Sequence, residues 1–291
     1  MNVMPVAETT TLEDLLVRLP ALRTQHAPGS DAYQRLKTLA ATESARLFAG
    51  TQAVPVALAP FGQLVFPYVK MGAISSVDLL ALDELIVFSF YWQARNLYRR
   101  VADVGANIGL HSILLAKAGY KVRAYEPDPD HVAILRRNLA LNKCMNVEVI
   151  SAALSVNEGQ QEFIRVLGNT TGSHLAGAKP HPYGELKHLT VPTRSVREIM
   201  TWADLVKLDV EGHEAAILTA TNRQDWEGTD VLLEIGSPAG AKAIFRHLQT
   251  LGVTLFTQQR GWAPARNVDD VPTHYREGLA FASLRVEMPW S

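Results

Sequence analysis

Between residues 103 and 128 the chain sets a glycine-rich turn and two acids at a spacing suited to a nucleoside ligand. The turn reads Asp103-Val-Gly-Ala-Asn-Ile-Gly109. Gly105 and Gly109 carry no Cβ, so the backbone there can reverse sharply and approach a ligand. A dinucleotide fingerprint would read Gly-x-Gly-x-x-Gly and aim a helix N-terminus at a pyrophosphate. Here the spacing is Gly-x-x-x-Gly, with Asp103 two residues ahead of the first glycine. A carboxylate there repels a pyrophosphate and suits a cationic ligand such as S-adenosylmethionine (SAM), which carries a sulfonium and an ammonium. Glu126 follows in Ala124-Tyr-Glu-Pro-Asp128, about 20 residues on, where an acid accepts hydrogen bonds from both ribose hydroxyls. Asn107 is placed to meet the methionine part of such a cofactor. Ala106, Pro127 and Ala152 are further candidate contacts.

A second group of reactive side chains comes later. Asp209, Glu211, His213 and Glu214 crowd one strand end and the helix start expected after it, and Glu234 ends the next strand. Acids in a first helical turn complement the helix dipole, which is the plainer explanation. Two details go beyond it. Glu214 shares a helical face with Ile217, Leu218 and Thr221, and so points toward the sheet. Asp209 and Glu234 stand at carboxyl ends of strands, where ligands bind in such sheets. SAM already carries a good leaving group, so the protein must chiefly align an acceptor oxygen with the methyl. A base that removes the hydroxyl proton helps. Asp209 or Glu214 is the expected base, with His213 the competitor because an imidazole has the more suitable ordinary pKa. A divalent cation held by Asp209, Glu211, Glu214 and Glu234 is an alternative that is not the expectation. His111, just past the turn, reads as a helix-surface residue. The segment Gly168–Lys187, with His174 and His181 followed by His188, reads as a solvated acceptor loop rather than a metal motif.

These residues need a frame, and the pattern from residue 100 onward supplies one. Apolar runs at Arg100–Val104, Val122–Tyr125, Val147–Ile150, Leu205–Leu208 and Val231–Ile235 alternate with helical stretches at Leu110–Ala118, Asp130–Asn142, Glu211–Thr221 and Ala239–Leu251. Val253–Thr257 and Leu279–Val286 are further strands. Strands alternating with helices of this length imply a doubly wound, mostly parallel α/β sheet covered on both faces. Residues 1–95 differ in texture, with helices expected at Leu12–Arg23, Asp31–Phe48 and Asp78–Tyr98 and short extended pieces between them. They read as an appendage serving as lid, cap or dimerisation element, leaving residues 96–291 as the catalytic unit.

The bulk numbers exclude several classes. The chain has 291 residues, 47% hydrophobic and 20% charged, with a formal net charge of −1. That is ample for a packed core and excludes wholesale disorder. Near-neutral charge argues against nucleic acid as the main partner. One cysteine, Cys144, excludes an internal disulfide framework and a cysteine zinc cluster. The opening residues up to Thr11 lack a basic-then-apolar leader pattern, and no apolar run is long enough to span a bilayer. The cytoplasm is the expected location.

Taken together, Asp103-Val-Gly-Ala-Asn-Ile-Gly109, Ala124-Tyr-Glu-Pro-Asp128 with Leu135-Arg-Arg-Asn138 and Asn142, and Val206-Lys-Leu-Asp-Val-Glu-Gly-His-Glu214 with Leu232-Leu-Glu234 resemble the FkbM family of SAM-dependent methyltransferases. The resemblance covers about residues 100–236 and implies a class I methyltransferase (Rossmann-like) fold. It also implies O-methylation of a sugar or natural-product hydroxyl, with the glycine loop on Gly105, Asn107 and Gly109 and the ribose acid at Glu126. His213 departs from the small residue common at that position. N-methylation of another acceptor and a catalytically idle SAM-binding subunit, with a homodimer possible, are the competing readings. An Asn/Asp-Pro-Pro-Tyr-type motif, which would serve base methylation, is absent after the fourth strand, and the turn chemistry disfavours a dehydrogenase.

Overall fold

The structure, a computed structural model, describes residues 11–50, 52–179, 181–182 and 184–290. The expectation about a leader falls almost wholly outside these residues. Helix α1 (Leu12–Arg18) starts where Thr11 Oγ1 accepts the Asp14 N–H, and α2 (Asp31–Phe48) where Ser30 Oγ accepts the Tyr33 N–H. Each cap satisfies an N–H that the helix itself cannot. Two short hairpins follow, β1 (Val56–Ala57) with β2 (Gln63–Leu64) and β3 (Lys70–Met71) with β4 (Ile74–Ser75). Helix α3 (Leu82–Gln93) buries every residue from Leu85 to Tyr91, as a helix apolar all round must.

The main sheet begins with β5 (Arg100–Val104), α4 (Leu110–Lys117), β6 (Lys121–Tyr125), α5 (Pro129–Leu141) and β7 (Val147–Ile150). A second, four-stranded sheet is inserted next: β8 (Ala153–Ser155), β9 (Gly159–Val166), β10 (His174–Leu175) and β11 (Leu186–Ser195). The chain returns through α6 (Val196–Trp202), β12 (Leu205–Leu208), α7 (Glu214–Thr219), β13 (Asp230–Leu233), α8 (Pro238–Leu251), β14 (Thr254–Thr257), β15 (Ala263–Pro264) and β16 (Ala280–Ser283). The eight strands lie in the order β15-β14-β16-β13-β12-β5-β6-β7. β7, β6, β5, β12 and β13 are parallel, and β16 runs antiparallel to both β13 and β14. The order reverses between β5 and β12, so the loops leaving those two strands flank the crevice where such sheets bind ligands.

Three features differ from expectation. Helix α7 begins at Glu214 rather than Glu211, because Glu211 (φ 56°) and Gly212 (φ 104°) are both in left-handed conformations that no α-helix accommodates. The segment expected as a solvated loop is partly strand: β10 pairs with β9, and β11 pairs with β9 over eight residues. The residues before β5 are not peripheral in their packing. Leu12, Leu15, Tyr33, Phe88 and Phe90 join Leu114, Val122 and Phe281 in one continuous core on one face of the sheet. Among the described residues, no helix is long and apolar enough to cross a membrane.

Candidate active site

At the carboxyl ends of β5, β6, β12 and β13 lies a cavity of about 430 Å³. One side of its wall is the glycine turn. Gly105 (φ 76°) and Ala106 both direct their N–H at the Tyr125 carbonyl, 3.0 Å away. A Cβ on Gly105 would lie 1.8 Å from the Asp209 carbonyl oxygen. Gly109 (φ 94°) caps α4, and a Cβ there would press on Leu135 of α5 at 3.1 Å. Asn107 takes a left-handed conformation without being glycine (φ 52°), and its buried Oδ1 has no hydrogen-bond partner. Strain and an orphaned acceptor in one residue suit a loop built around a ligand.

Glu126 ends β6 and is 5% exposed. Its Oε2 accepts the Asn107 N–H and its Oε1 the Asp128 N–H, both at 2.8 Å. Burial pushes its pKa up to about 7, against the pull of those two N–H groups. A carboxylate offers about four acceptor sites, so two remain for hydroxyls. Pro127 and Ala152 line the same wall. Ala106 and Gly109 shape the turn without lining the cavity.

Asp103 is not where a cationic ligand would meet it. Its carboxylate is fully buried beneath the turn, with Ser112 Oγ donating to Oδ2 at 2.5 Å and Lys207 Nζ 3.9 Å from Oδ1. Lys207, not singled out by its sequence context, is the hub here. Its ammonium donates to the Gly105 carbonyl and to Asp209 Oδ2, each at 3.2 Å, tying the turn to the end of β12. Burial pulls its pKa down, but the charges of Asp209, Asp103 and Glu84 outweigh burial and raise it. A lysine inside the apolar run Leu205–Leu208 of a central strand was the available signal, because a buried ammonium demands carboxylate partners.

Of the five expected catalytic residues, Asp209, Glu211 and Glu234 line the cavity. Glu214 does not. It is buried on the face shared with Ile217 and Leu218, and its carboxylate accepts the N–H of Val210 (3.0 Å) and Gly212 (3.1 Å), closing the loop before α7. His213 also lies off the cavity, with Nε2 3.3 Å from Ser155 Oγ and its pKa lowered by burial. Glu211 is paired with Lys179, yet burial and the Asp209 charge raise its pKa. Burial, with the charges of Asp209, Glu211, Glu84 and Glu214, raises the Glu234 pKa well above the ordinary carboxylate range.

The expected alternative metal set does not assemble. Among the described residues, no three His, Cys, Asp or Glu side chains are placed to share an ion. Asp209 and Glu211 each face an ammonium, and Glu214 is spent on backbone amides.

The rest of the wall comes from places the motifs do not reach. Tyr33, Lys37, Asp83 and Glu84 enter from α2 and α3, and Tyr275 and Arg276 from the stretch before β16. His131, Phe163, Thr170 and His174 close the side near the inserted sheet. His174 is buried, whereas His188 is exposed and paired with Glu162. His111 is not a surface residue. It bridges Tyr91 OH (2.9 Å) and Glu84 Oε2 (2.9 Å).

The strand order, the glycine turn at the reversal point and the buried acid ending β6 are those of a class I SAM-dependent methyltransferase. Residues 103–258 match the methyltransferase FkbM domain family, and the chain belongs to that family. Methyltransferase sdnD from Sordaria araneosa is 28% identical in a 230-residue alignment that covers 66% of this chain and 88% of that protein. Two solved structures are distant likenesses. The SAM-dependent methyltransferase from Agrobacterium tumefaciens has a TM-score of 0.42 at 9% identity, covering 80% of this chain and 70% of its own. Precorrin-6y C5,15-methyltransferase from Geobacter metallireducens GS-15 has a TM-score of 0.37 at 14% identity, covering 67% and 84%.

The residues present fit SAM: Gly105, Asn107, Glu126 and Ala152 line the cavity, the buried Asn107 Oδ1 is orphaned, and Glu126 keeps spare acceptor sites. Because ribose hydroxyls donate, the bound state favours ionised Glu126, and protonation competes with binding. With the free carboxyl titrating at about 7, affinity for S-adenosylhomocysteine at pH 6 is expected to be roughly tenfold weaker than at pH 8. Calorimetry at the two pH values checks this, and equal affinities would contradict it.

Proposed function

We propose that the chain transfers the SAM methyl to a hydroxyl oxygen of a sugar or natural-product acceptor. The observation that carries the reading is the set of carboxyl groups at the far end of the cofactor cavity: Asp83, Glu84, Asp209, Glu211 and Glu234, beside the Tyr33 and Tyr275 rings. Carboxylates accept hydrogen bonds from neighbouring hydroxyls, and aromatic rings supply a flat apolar surface, the combination a polyhydroxylated acceptor needs. Asp209 lies one residue past β12 and orients the reacting hydroxyl, while Glu234 hydrogen-bonds a neighbouring hydroxyl of the acceptor. The segment before β5 acts as a cap, since Tyr33, Lys37 and Asp78 line the cavity. SAM supplies an activated methyl on a sulfonium; alignment and proton removal fall to the protein.

The test is transfer of radiolabelled methyl from SAM to a panel of sugars and hydroxylated natural products, with an amine panel alongside. Asp209→Asn is expected to lower kcat on the best hydroxyl acceptor by about 100-fold, with S-adenosylhomocysteine affinity within threefold of the parent. Transfer to amines alone, or an Asp209→Asn enzyme with full turnover, would refute the reading.

A further inference from the structure

The carboxyl groups at the acceptor end of the cavity are not equivalent. Asp209 Oδ2 is paired with the Lys207 ammonium at 3.2 Å, and Glu211 with that of Lys179. Asp83 accepts from Tyr33 OH (2.8 Å) and Gln258 Nε2 (2.6 Å), and burial with the surrounding acids raises the Glu234 pKa. Glu84 differs from all four. Like Asp209 and Glu211 it is about one-third exposed and lines the cavity, but its partner is an imidazole and not an ammonium: His111 Nε2 meets its Oε2 at 2.9 Å.

The imidazole is in turn fixed. Burial, first of all, and nearby negative charge keep the Tyr91 phenol protonated, and its one recorded partner is His111 Nδ1 at 2.9 Å. The phenol therefore donates to Nδ1, which leaves an imidazole proton on Nε2, directed at Glu84. Burial alone would raise the Glu84 pKa, but His111 and Lys207 outweigh it and keep the group ionised. A second, small cavity of about 20 Å³ adjoins the first, lined by Glu84, His111, Lys207, Asp209 and Glu234. That is room for one water among polar partners, a bridge from Glu84 to the acids at the ends of β12 and β13.

We infer that Glu84, oriented by the His111–Tyr91 pair, is the base that takes the proton lost by the acceptor hydroxyl. The inference rests on the hydroxyl-methylating reading above. In the step, the acceptor O–H bond breaks and its proton passes to a Glu84 carboxylate oxygen. An oxygen electron pair forms the new O–CH3 bond. The electron pair of the broken S–CH3 bond stays on sulfur, leaving S-adenosylhomocysteine. Glu84 later returns the proton to water through the cavity. Glu84 is thus a catalytic residue, whereas His111 and Tyr91 are positioning residues.

The experiment compares Glu84→Gln and Glu84→Asp with the parent on the same hydroxyl acceptor, and records the nitrogen NMR shifts of His111, assigned with His111→Gln. Glu84→Gln is expected to lower kcat by about 100-fold or more, to change the acceptor KM far less, and to keep S-adenosylhomocysteine affinity within twofold, which also reports folding. Glu84→Asp recovers part of the loss. In the parent with S-adenosylhomocysteine bound, His111 is expected to carry a proton on Nε2. A parent that methylates the hydroxyl while Glu84→Gln keeps kcat within twofold, or a His111 protonated on Nδ1 alone, overturns this inference and leaves the broader reading standing. A parent that methylates only amines overturns both.

Discussion

Replacing Gly105 with alanine is expected to weaken S-adenosylhomocysteine binding by about 100-fold or more. Two costs add. The residue sits at φ 76°, where a non-glycine residue is strained by about 1–2 kcal/mol. The new Cβ would also stand 1.8 Å from the Asp209 carbonyl oxygen. A backbone oxygen at the end of a central strand cannot swing aside, so the turn must move, at roughly 1–3 kcal/mol for overpacking. The sum is about 3 kcal/mol, and each 1.4 kcal/mol is tenfold. The movement displaces the Gly105 carbonyl from Lys207 and, with it, the Asn107 N–H from Glu126, so the loss falls on the cofactor wall. The core should hold, because the apolar strands on either side keep their contacts. A calorimetric titration beside a thermal melt checks both halves. Parent-like affinity would mean that the close approach of the turn to β12 is not part of the cofactor site.

Glu126→Ala is expected to cost at least as much. The carboxylate does two jobs: it accepts the Asn107 and Asp128 N–H groups, and it keeps acceptor sites for the ribose. Its removal leaves two buried donors unsatisfied at about 1–3 kcal/mol each, before any loss to the ligand is counted. S-adenosylhomocysteine affinity should fall by two orders of magnitude or more. Glu126→Gln keeps the shape and one acceptor oxygen, so it should fall between the two and lose the pH dependence of the parent. A Glu126→Ala protein that binds as the parent does would place the nucleoside elsewhere.

How far these sites could be read in advance depended on the range of the interactions that make them. β5, β7 and β12 begin and end at the expected bounds, Arg100–Val104, Val147–Ile150 and Leu205–Leu208, because mostly apolar runs are what a parallel sheet buries. Of the polar exceptions, Asp103 and Lys207 face each other and Glu148 lies exposed on the edge strand. The glycine turn and Glu126 were legible for the same local reason. Glu214 was legible in direction but not in duty. Its shared face with Ile217 and Leu218 does bury it, yet what it meets there is the backbone of Val210 and Gly212, because Glu211 and Gly212 turn left-handed and delay the helix. The inserted sheet was harder. Glu162–Val166 and Leu189–Pro192 read as extended and fall within β9 and β11. But β9 is exposed over much of its length and its pairing with β11 is non-local, so the pairing itself was not legible. Lys207, Glu84 and His111 form one cluster only because β12, α3 and α4 meet in space. Apart from Asp209, two residues from Lys207, nothing within a few residues of them indicates their partners.

The account stands on SAM occupying the cavity between the turn at Gly105 and Glu126. The most direct measurement is calorimetric titration of the purified protein with S-adenosylhomocysteine, with NAD as the control. Saturable binding of one S-adenosylhomocysteine per chain and no heat with NAD is the predicted result. Uptake of NAD in place of S-adenosylhomocysteine, or silence to both, would contradict it.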